Sequence, residues 1–402
     1  MTPIDITHYT LASCLGRGLD AHLAALQDDR SGLKPCDFET VDIPTWIGEV
    51  QGIDSTELRP DLAKYDSRNN RLIQLGLEND GFPQAVRAAV ARYGADRVGV
   101  FIGTSTSGML QTELAYRERN PDTGALPAYF NYATSHNAYS GADFVCAYFG
   151  LRGPSMVLSA ACASSAKAFG NAQRMIAAGL IDAAIVGGAD SLCLTTLYGF
   201  RSLELTSTQP CKPFDALRDG ISIGEAAAFT LLERADSAIS TPPGERLQLL
   251  GVGESSDAHH MSSPHPEGRS ARVAIQQALD QAGLRPDQID YINLHGTGTP
   301  SNDAAESQAV AAVFGAPTPP CSSSKAATGH TLGAAGAMEA IICLLALRHG
   351  IVPGGLNVHT LDPALPMAYQ RTTQTARIKH ALSNSFGFGG ANCSVVFGRG
   401  VI

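Results

Sequence analysis

Short apolar runs rich in β-branched residues alternate with Ala-rich segments of helical period along this chain, a pattern that points to parallel strands covered by helices. Arg97 to Ile102 (RVGVFI), Met156 to Ser159 and Ala183 to Val186 read as strands in the first half, and Ile289 to Leu294 and Asn392 to Phe397 in the second. The polar segment Ser237 to Arg246, with two prolines and a glycine, separates an apolar run ending near Glu233 from another starting at Leu247. It reads as a boundary between residues 1–242 and 243–402. Across it runs a faint echo. A helix at Gln84 to Tyr93 leads into GADRVGVFIGTSTSG, and one at Ala271 to Ala282 leads into GLRPDQIDYINLHGTGT. Likewise SMVLSAACASSAKAFGNAQRMIAAGLI and CSSSKAATGHTLGAAGAMEAIICLLAL both turn a small-residue strand end into a long helix. The period is too long for a solenoid, so the echo leaves a duplicated half-domain and coincidence both open.

Composition narrows the function classes. At about 150 residues per domain, 402 residues leave room for two to three. Lys plus Arg number 29 against 38 Asp plus Glu, giving a net charge of −9 with no strongly basic stretch, which argues against nucleic acid as the main partner. With 17% charged and 44% hydrophobic residues the chain fits an enzyme that also buries a subunit interface. Nine cysteines at irregular spacing, without a C-x-x-C pair, indicate neither a disulfide framework nor a zinc site and suit a reducing compartment. The N-terminus lacks a basic region followed by an apolar core, and the run Ala340 to Leu347 is too short to span a bilayer. The expectation is a cytoplasmic protein without membrane insertion.

Four places carry chemistry. Cys162 in LSAACASSAKAFGNAQ stands where a strand meets a helix, whose N-terminal N–H groups and dipole would lower its pKa and cradle an oxyanion. The alternative is a small buried hydrophobe. His295 ends an apolar strand before GTGT, at the strand end where ligands gather in open α/β sheets, or it merely caps that strand. Lys325 and His330 bracket a small-residue loop in SSSKAATGHTLGAAGAMEA, or are a surface lysine and a helix cap. In Ser383 to Gly390 (SNSFGFGG), glycines allow close backbone approach and let an aromatic swing, or form a hydrophobic turn. GTSTSG and HGTGTP match neither a P-loop nor a dinucleotide fingerprint, so no nucleotide cofactor is expected. Adjacent His259 and His260, with His265 between prolines, lack the spacing of a catalytic metal site.

In order along the chain, YFGLRGPSM with the Cys162 turn, KPFDALRDGISIGEAAAFTLLE, SSDAHHMSSP, NLHGTGTP, SSSKAATGHTLGAAGAMEA and SNSFGFGGAN resemble the β-ketoacyl-[acyl carrier protein] synthases of the type I/II class, condensing enzymes of the thiolase superfamily. The match is weak only between Asp20 and Asp80, and the family's Thr two residues before the nucleophile is Ala160 here. The resemblance implies an α/β, thiolase-like fold of two pseudo-symmetric halves in a five-layered α-β-α-β-α core. The first half would carry the nucleophile Cys162 and the second His295 and His330, which would stabilise the enolate left by decarboxylation of a malonyl thioester. Lys325 would help position His330 and set the local electrostatics, with Glu306 or Glu339 as its partner. Backbone N–H groups of Cys162 and Phe388 would hold the oxyanion, with Gly387 and Gly389 flanking Phe388 as a gate. Thr297, Thr299 and Ser262 would contact phosphopantetheine, which arrives on the carrier protein, no cofactor being tightly bound. Asn293, Glu339, Ser383 and Asn384 match positions that surround a structural Na⁺ or K⁺ in some members.

The resemblance further implies an acyl pocket involving Thr106, Ser107 and, from Asn131 to Tyr139 of a dimer partner, His136. The hydroxyls of Ser105, Thr106 and Ser107 suggest a polar pocket floor, and with it an unsaturated or functionalised chain as in aryl polyene or polyketide assembly; fatty acid elongation is the default. Because acyl carrier protein is acidic, a local basic rim is expected, with Lys64, Arg68, Arg71, Lys212 and Arg218 as candidates. The family forms homodimers, and a heterodimer with a chain-length-factor-like subunit is the other arrangement. Two rival functions remain: a non-catalytic chain-length partner, disfavoured because Cys162, His295, Lys325 and His330 are all present, and a biosynthetic thiolase with Cys393 as second cysteine.

Overall fold

The computed structural model describes residues 3–235 and 246–400, so nearly all of the boundary segment Ser237 to Arg246 lies outside the described residues. Ten strands share one sheet: β1 (Ile4–Ser13), β2 (Val98–Gly103), β3 (Ser155–Leu158), β4 (Ala183–Asp190), β5 (Ala226–Arg234), β6 (Leu247–Ser256), β7 (Tyr291–Asn293), β8 (Cys321–Ser322), β9 (His380–Gly387) and β10 (Ala391–Arg399). A short eleventh, Gly16–Arg17, folds back on β1. The order across the sheet is β8-β7-β9-β10-β6-β1-β5-β4-β2-β3.

Adding five to a strand's label moves from one half to the other. β2 runs parallel to β3 and β4, as β7 does to β8 and β9. β4 is antiparallel to β5 and β5 to β1, as β9 is to β10 and β10 to β6. The two half-sheets are not separate: antiparallel pairing from Ile4–Leu249 to Ile6–Leu247 joins them edge to edge. The faint sequence echo is therefore a repeat of topology.

Between the half-sheets lie α4 (Ser164–Ala177) and α7 (Ala335–His349), while α1 (Arg68–Leu77), α2 (Phe82–Tyr93) and α3 (Ser140–Phe149) cover the first half and α5 (Arg269–Ala282) and α6 (Pro300–Phe314) the second. This gives the five layers. Small residues let α4 and α7 meet closely, because interior packing leaves no room for more. A Cβ on Gly336 would come within 2.6 Å of the Ala166 nitrogen, and the Ala337 N–H donates to Ser165 Oγ at 2.9 Å. With the turn before it, α7 forms an apolar stretch from Leu332 to His349, long enough to cross a membrane and longer than the sequence run alone. Packing accounts for its composition, since 89% of that stretch is buried in the centre of the fold.

Candidate active site

The chain leaves β3, turns through Ala161 in a left-handed conformation (φ +48°) and enters α4. Ser164 clamps this elbow: its hydroxyl accepts the Ala160 N–H at 2.8 Å and donates to the Ala161 carbonyl at 2.5 Å. Cys162 stands at the turn, 7% exposed. Gly387, at the end of β9, passes so near that a Cβ there would lie 3.0 Å from the Cys162 nitrogen, which brings the Phe388 N–H onto Cys162 Sγ. Burial pushes the thiol up to about 11, and Lys325 and the Phe388 N–H pull it only part of the way back. That corrects the lowered pKa expected from the helix terminus: desolvation of the anion outweighs the donors around it.

His330 Nε2 lies 3.0 Å from Cys162 Sγ, and the His295 ring stands nearly perpendicular to that of His330, centroids 5.3 Å apart. The Leu332 N–H donates to His330 Nδ1 at 3.2 Å. Lys325 Nζ lies 3.3 Å from His295 Nδ1, donates to the His295 carbonyl at 2.5 Å and pairs with Glu339. Each Nδ1 thus faces a donor and must accept, which assigns the proton to Nε2 on both rings. Burial first, then the charge of Lys325, holds both imidazoles well below the ordinary histidine range, so they are neutral N–H donors aimed into one site. Lys325, Glu339 and Glu306 are all buried, and burial raises both carboxyls to about 7. Of the two candidate partners for Lys325, Glu339 makes the ion pair. Glu306 instead accepts the N–H groups of His295 and Gly296, each at 2.8 Å, and fixes the His295 loop.

The cleft above these groups has an empty volume of about 590 Å³, its open mouth included, and is lined by Thr297, Thr299, Ser262, Phe200 and Phe388 among others. Thr297 and Thr299 hydroxyls lie 2.9 Å apart. Phe388 packs on Phe200 with centroids 5.6 Å apart, at the start of a turn in which Gly389 and Gly390 have positive φ. The donor atoms of Cys162, His295 and His330 lie within 4.8 Å of one another, close enough for a metal, but both imidazoles present N–H rather than a lone pair. Among the described residues His259, His260 and His265 form no such cluster; the rings of the first and last lie 5.0 Å apart, tilted by 53°.

Several expectations need correction. Thr106 and Ser107 do not line this cleft, and their hydroxyls are spent: Thr106 donates to Asp190 and Ser107 to the carbonyls of Ser135 and Asn137. His136, expected to line the pocket of a dimer partner, bonds Thr112 at 2.7 Å in its own chain. Arg68 is 2% exposed and cannot dock a partner; its guanidinium meets Glu225, Glu49 and Asp54. Arg218 is turned inward onto Asp303 and Asp362, and Arg71 is neutralised by two 2.6 Å bonds to Asp66. Lys64 is exposed and Lys212 half-buried beside the Gly298 loop. Cys393, the second cysteine of a thiolase reading, is fully buried in β10 opposite Glu254 and outside the cleft. Sequence reasoning missed Ser164, Glu225 and Asp190, whose partners lie far away along the chain except for those of Ser164; an acid closing the β4 run was the one signal for Asp190.

Known proteins resemble this chain along most of its length. The family model Beta-ketoacyl synthase, N-terminal domain, matches residues 76–238, and Beta-ketoacyl synthase, C-terminal domain, matches residues 247–359. The chain is 32% identical to 3-oxoacyl-[acyl-carrier-protein] synthase 2 of Vibrio cholerae over 98% of its own length and 99% of that protein's. With the mitochondrial 3-oxoacyl-[acyl-carrier-protein] synthase of Arabidopsis thaliana, identity is 40% over 62% of this chain and 57% of that one. A ketosynthase solved in complex with its chain length factor from Xenorhabdus doucetiae superposes with a TM-score of 0.89 at 40% identity, covering 99% of this chain and 98% of that one.

Proposed function

This chain belongs to the β-ketoacyl synthase family, and from that premise we propose how its residues divide the reaction. It is a β-ketoacyl-[acyl carrier protein] synthase, an acyltransferase that joins an acyl group to a malonyl unit with loss of CO2 in chain elongation. The observation that carries the residue assignment is Cys162 Sγ held 3.0 Å from His330 Nε2 and against the Phe388 N–H. Cys162 attacks the thioester carbonyl of the acyl-loaded carrier; the oxyanion rests on the N–H groups of Cys162 and Phe388, and the pantetheine thiol leaves with the proton. The malonyl thioester then places its carbonyl oxygen between the Nε2–H groups of His295 and His330. As CO2 leaves, these donors hold the enolate, whose carbon attacks the acyl-Cys162 carbonyl. A C–C bond forms, the C–S bond breaks, and the sulfur of Cys162 leaves as a thiolate that takes a proton from water to restore the thiol. Lys325 acts through His295, keeping its Nδ1 an acceptor. Thr297, Thr299 and Ser262 line the path of the pantetheine arm, and of the five candidate cations Lys64 and Lys212 are left to steer an acidic carrier.

Buried Asn293 Oδ1 and Glu339 Oε2 have no hydrogen-bond partner, which supports a monovalent cation with a structural role among the expected Asn293, Glu339 and Ser383. The side chain of Asn384 is already engaged by Glu306 and Ser394. Likeness to a ketosynthase solved in complex with its chain length factor favours a second arrangement in which this chain pairs with such a subunit instead of a second copy of itself. Mass spectrometry of the enzyme with a panel of acyl carrier thioesters tests the assignment. The acyl mass is expected on Cys162, and Cys162→Gln should decarboxylate malonyl carrier protein yet form no ketoacyl product; condensation surviving that change would falsify it.

A further inference from the structure

Asp190 closes β4, 0% exposed, and takes no part in the steps above. Its Oδ1 accepts the hydroxyls of Thr104 and Thr106 at 2.7 and 2.8 Å and the N–H groups of Ser105 and Thr106, both at 2.8 Å. Its Oδ2 accepts the Gly333 N–H at 2.5 Å and that of Ser105 at 3.0 Å. One carboxylate thus ties the loop after β2 to the turn that follows His330. In that turn Leu332 has φ +52°, a left-handed conformation that side chains avoid and that persists only where the surroundings impose it. The same residue donates its N–H to His330 Nδ1, so the strained turn and the His330 contact share one peptide.

We infer that Asp190 is a positioning residue for His330: by gripping Gly333 it holds Leu332 in its strained turn, and the Leu332 N–H then keeps the His330 proton on Nε2. Two contacts already fix where His330 stands, since its N–H donates to the Ser222 carbonyl at 2.7 Å and its carbonyl accepts the Gly224 N–H at 3.0 Å. Neither decides which ring nitrogen carries the proton. Without the carboxylate, Gly333 is released and the turn relaxes; the Thr331–Leu332 peptide rotates with it, carrying the Leu332 N–H off Nδ1, and the ring is free to present a lone pair to the thioester oxygen. Gly333 has to be glycine for the same reason: a Cβ there would lie 2.7 Å from Asp190 Oδ2.

The inference rests on the condensation reading, and the test separates the two. Enzyme is loaded with acyl groups, loaded sites are counted by mass spectrometry, and ketoacyl product is followed in a single turnover with saturating malonyl carrier protein. Failure of the parent enzyme to load or condense would sink the condensation reading alone. Asp190→Asn is expected to condense at roughly a tenth or less of the parental rate per loaded site, because a misplaced donor costs orders of magnitude in rate. A purely structural role would lower the number of loaded sites and leave the rate per site unchanged, which overturns the inference. In Asp190→Asn/Leu332→Gly, glycine adopts positive φ without strain, so much of the lost rate per site should return. A double variant no faster than Asp190→Asn also overturns it. Should Asp190→Asn not fold, Thr104→Val with Thr106→Val removes two of the donors that hold the carboxylate, and an unchanged rate per site there counts against the inference.

Discussion

Cys162 sits among donors yet in a medium that opposes its anion, and which of the two wins is measurable. With the thiol pushed up to about 11, its alkylation by iodoacetamide in the free enzyme should keep accelerating with pH through about 9. A plateau below about pH 8 would mean that the donors outweigh desolvation. Glu339 offers a second titration. Its carboxyl is raised to about 7, so acid protonates it and removes the charge that balances Lys325; decarboxylation of malonyl carrier protein should fall as pH drops through that value. Glu339→Gln should slow the reaction and flatten this acid limb; a limb unchanged in the variant assigns it elsewhere. Cys162, His295, Lys325 and His330 were legible in the sequence because local signals mark them: strand ends, flanking glycines and small-residue turns. Asp190 and Glu225 were not, because burial and partners define them, and those partners lie in other elements. Arg68 read as a surface cation for the same reason, since its partner Glu225 is 157 residues away.

At the scale of elements, the buried Arg68 of α1 locks onto the segment that holds His330. Glu225 also accepts the N–H groups of Val50 and Leu192, and the residues just before it pair with His330. Arg68→Met leaves that carboxylate buried without its counter-charge, at a cost of about 3–5 kcal/mol. The denaturation midpoint should drop with the slope unchanged, and activity per folded molecule should fall no more with carrier-bound than with small thioesters. A loss confined to carrier-bound substrates would restore Arg68 to a docking role. The strands legible in advance were those with unbroken apolar runs. β1 was not, because Asp5, Thr7, His8 and Thr10 interrupt it, although Asp5 and Thr10 are buried once β5 and β6 flank it. The duplication was legible only as a faint echo, since what the halves share is strand order and not residues.

For the whole molecule, Tyr116, Tyr129, Tyr132 and Tyr139 expose 56%, 63%, 58% and 48% of their surface within one stretch of the first half. Aromatic surface of this kind suits contact with another chain. Replacing Tyr129 and Tyr132 with serine should convert the assembled enzyme to single chains in native mass spectrometry, whether the partner is a second copy or a different subunit. Retention of the parental assembly would move the interface elsewhere. The matched halves carry one further consequence. The loop after β3 bears Cys162 and its counterpart after β8 bears Lys325; the loop after β2 is gathered by Asp190 and its counterpart after β7 bears His295. The same architecture is thus used twice for unlike duties, and no position in one copy can stand in for its twin in the other. Redundancy of shape has left none of chemistry.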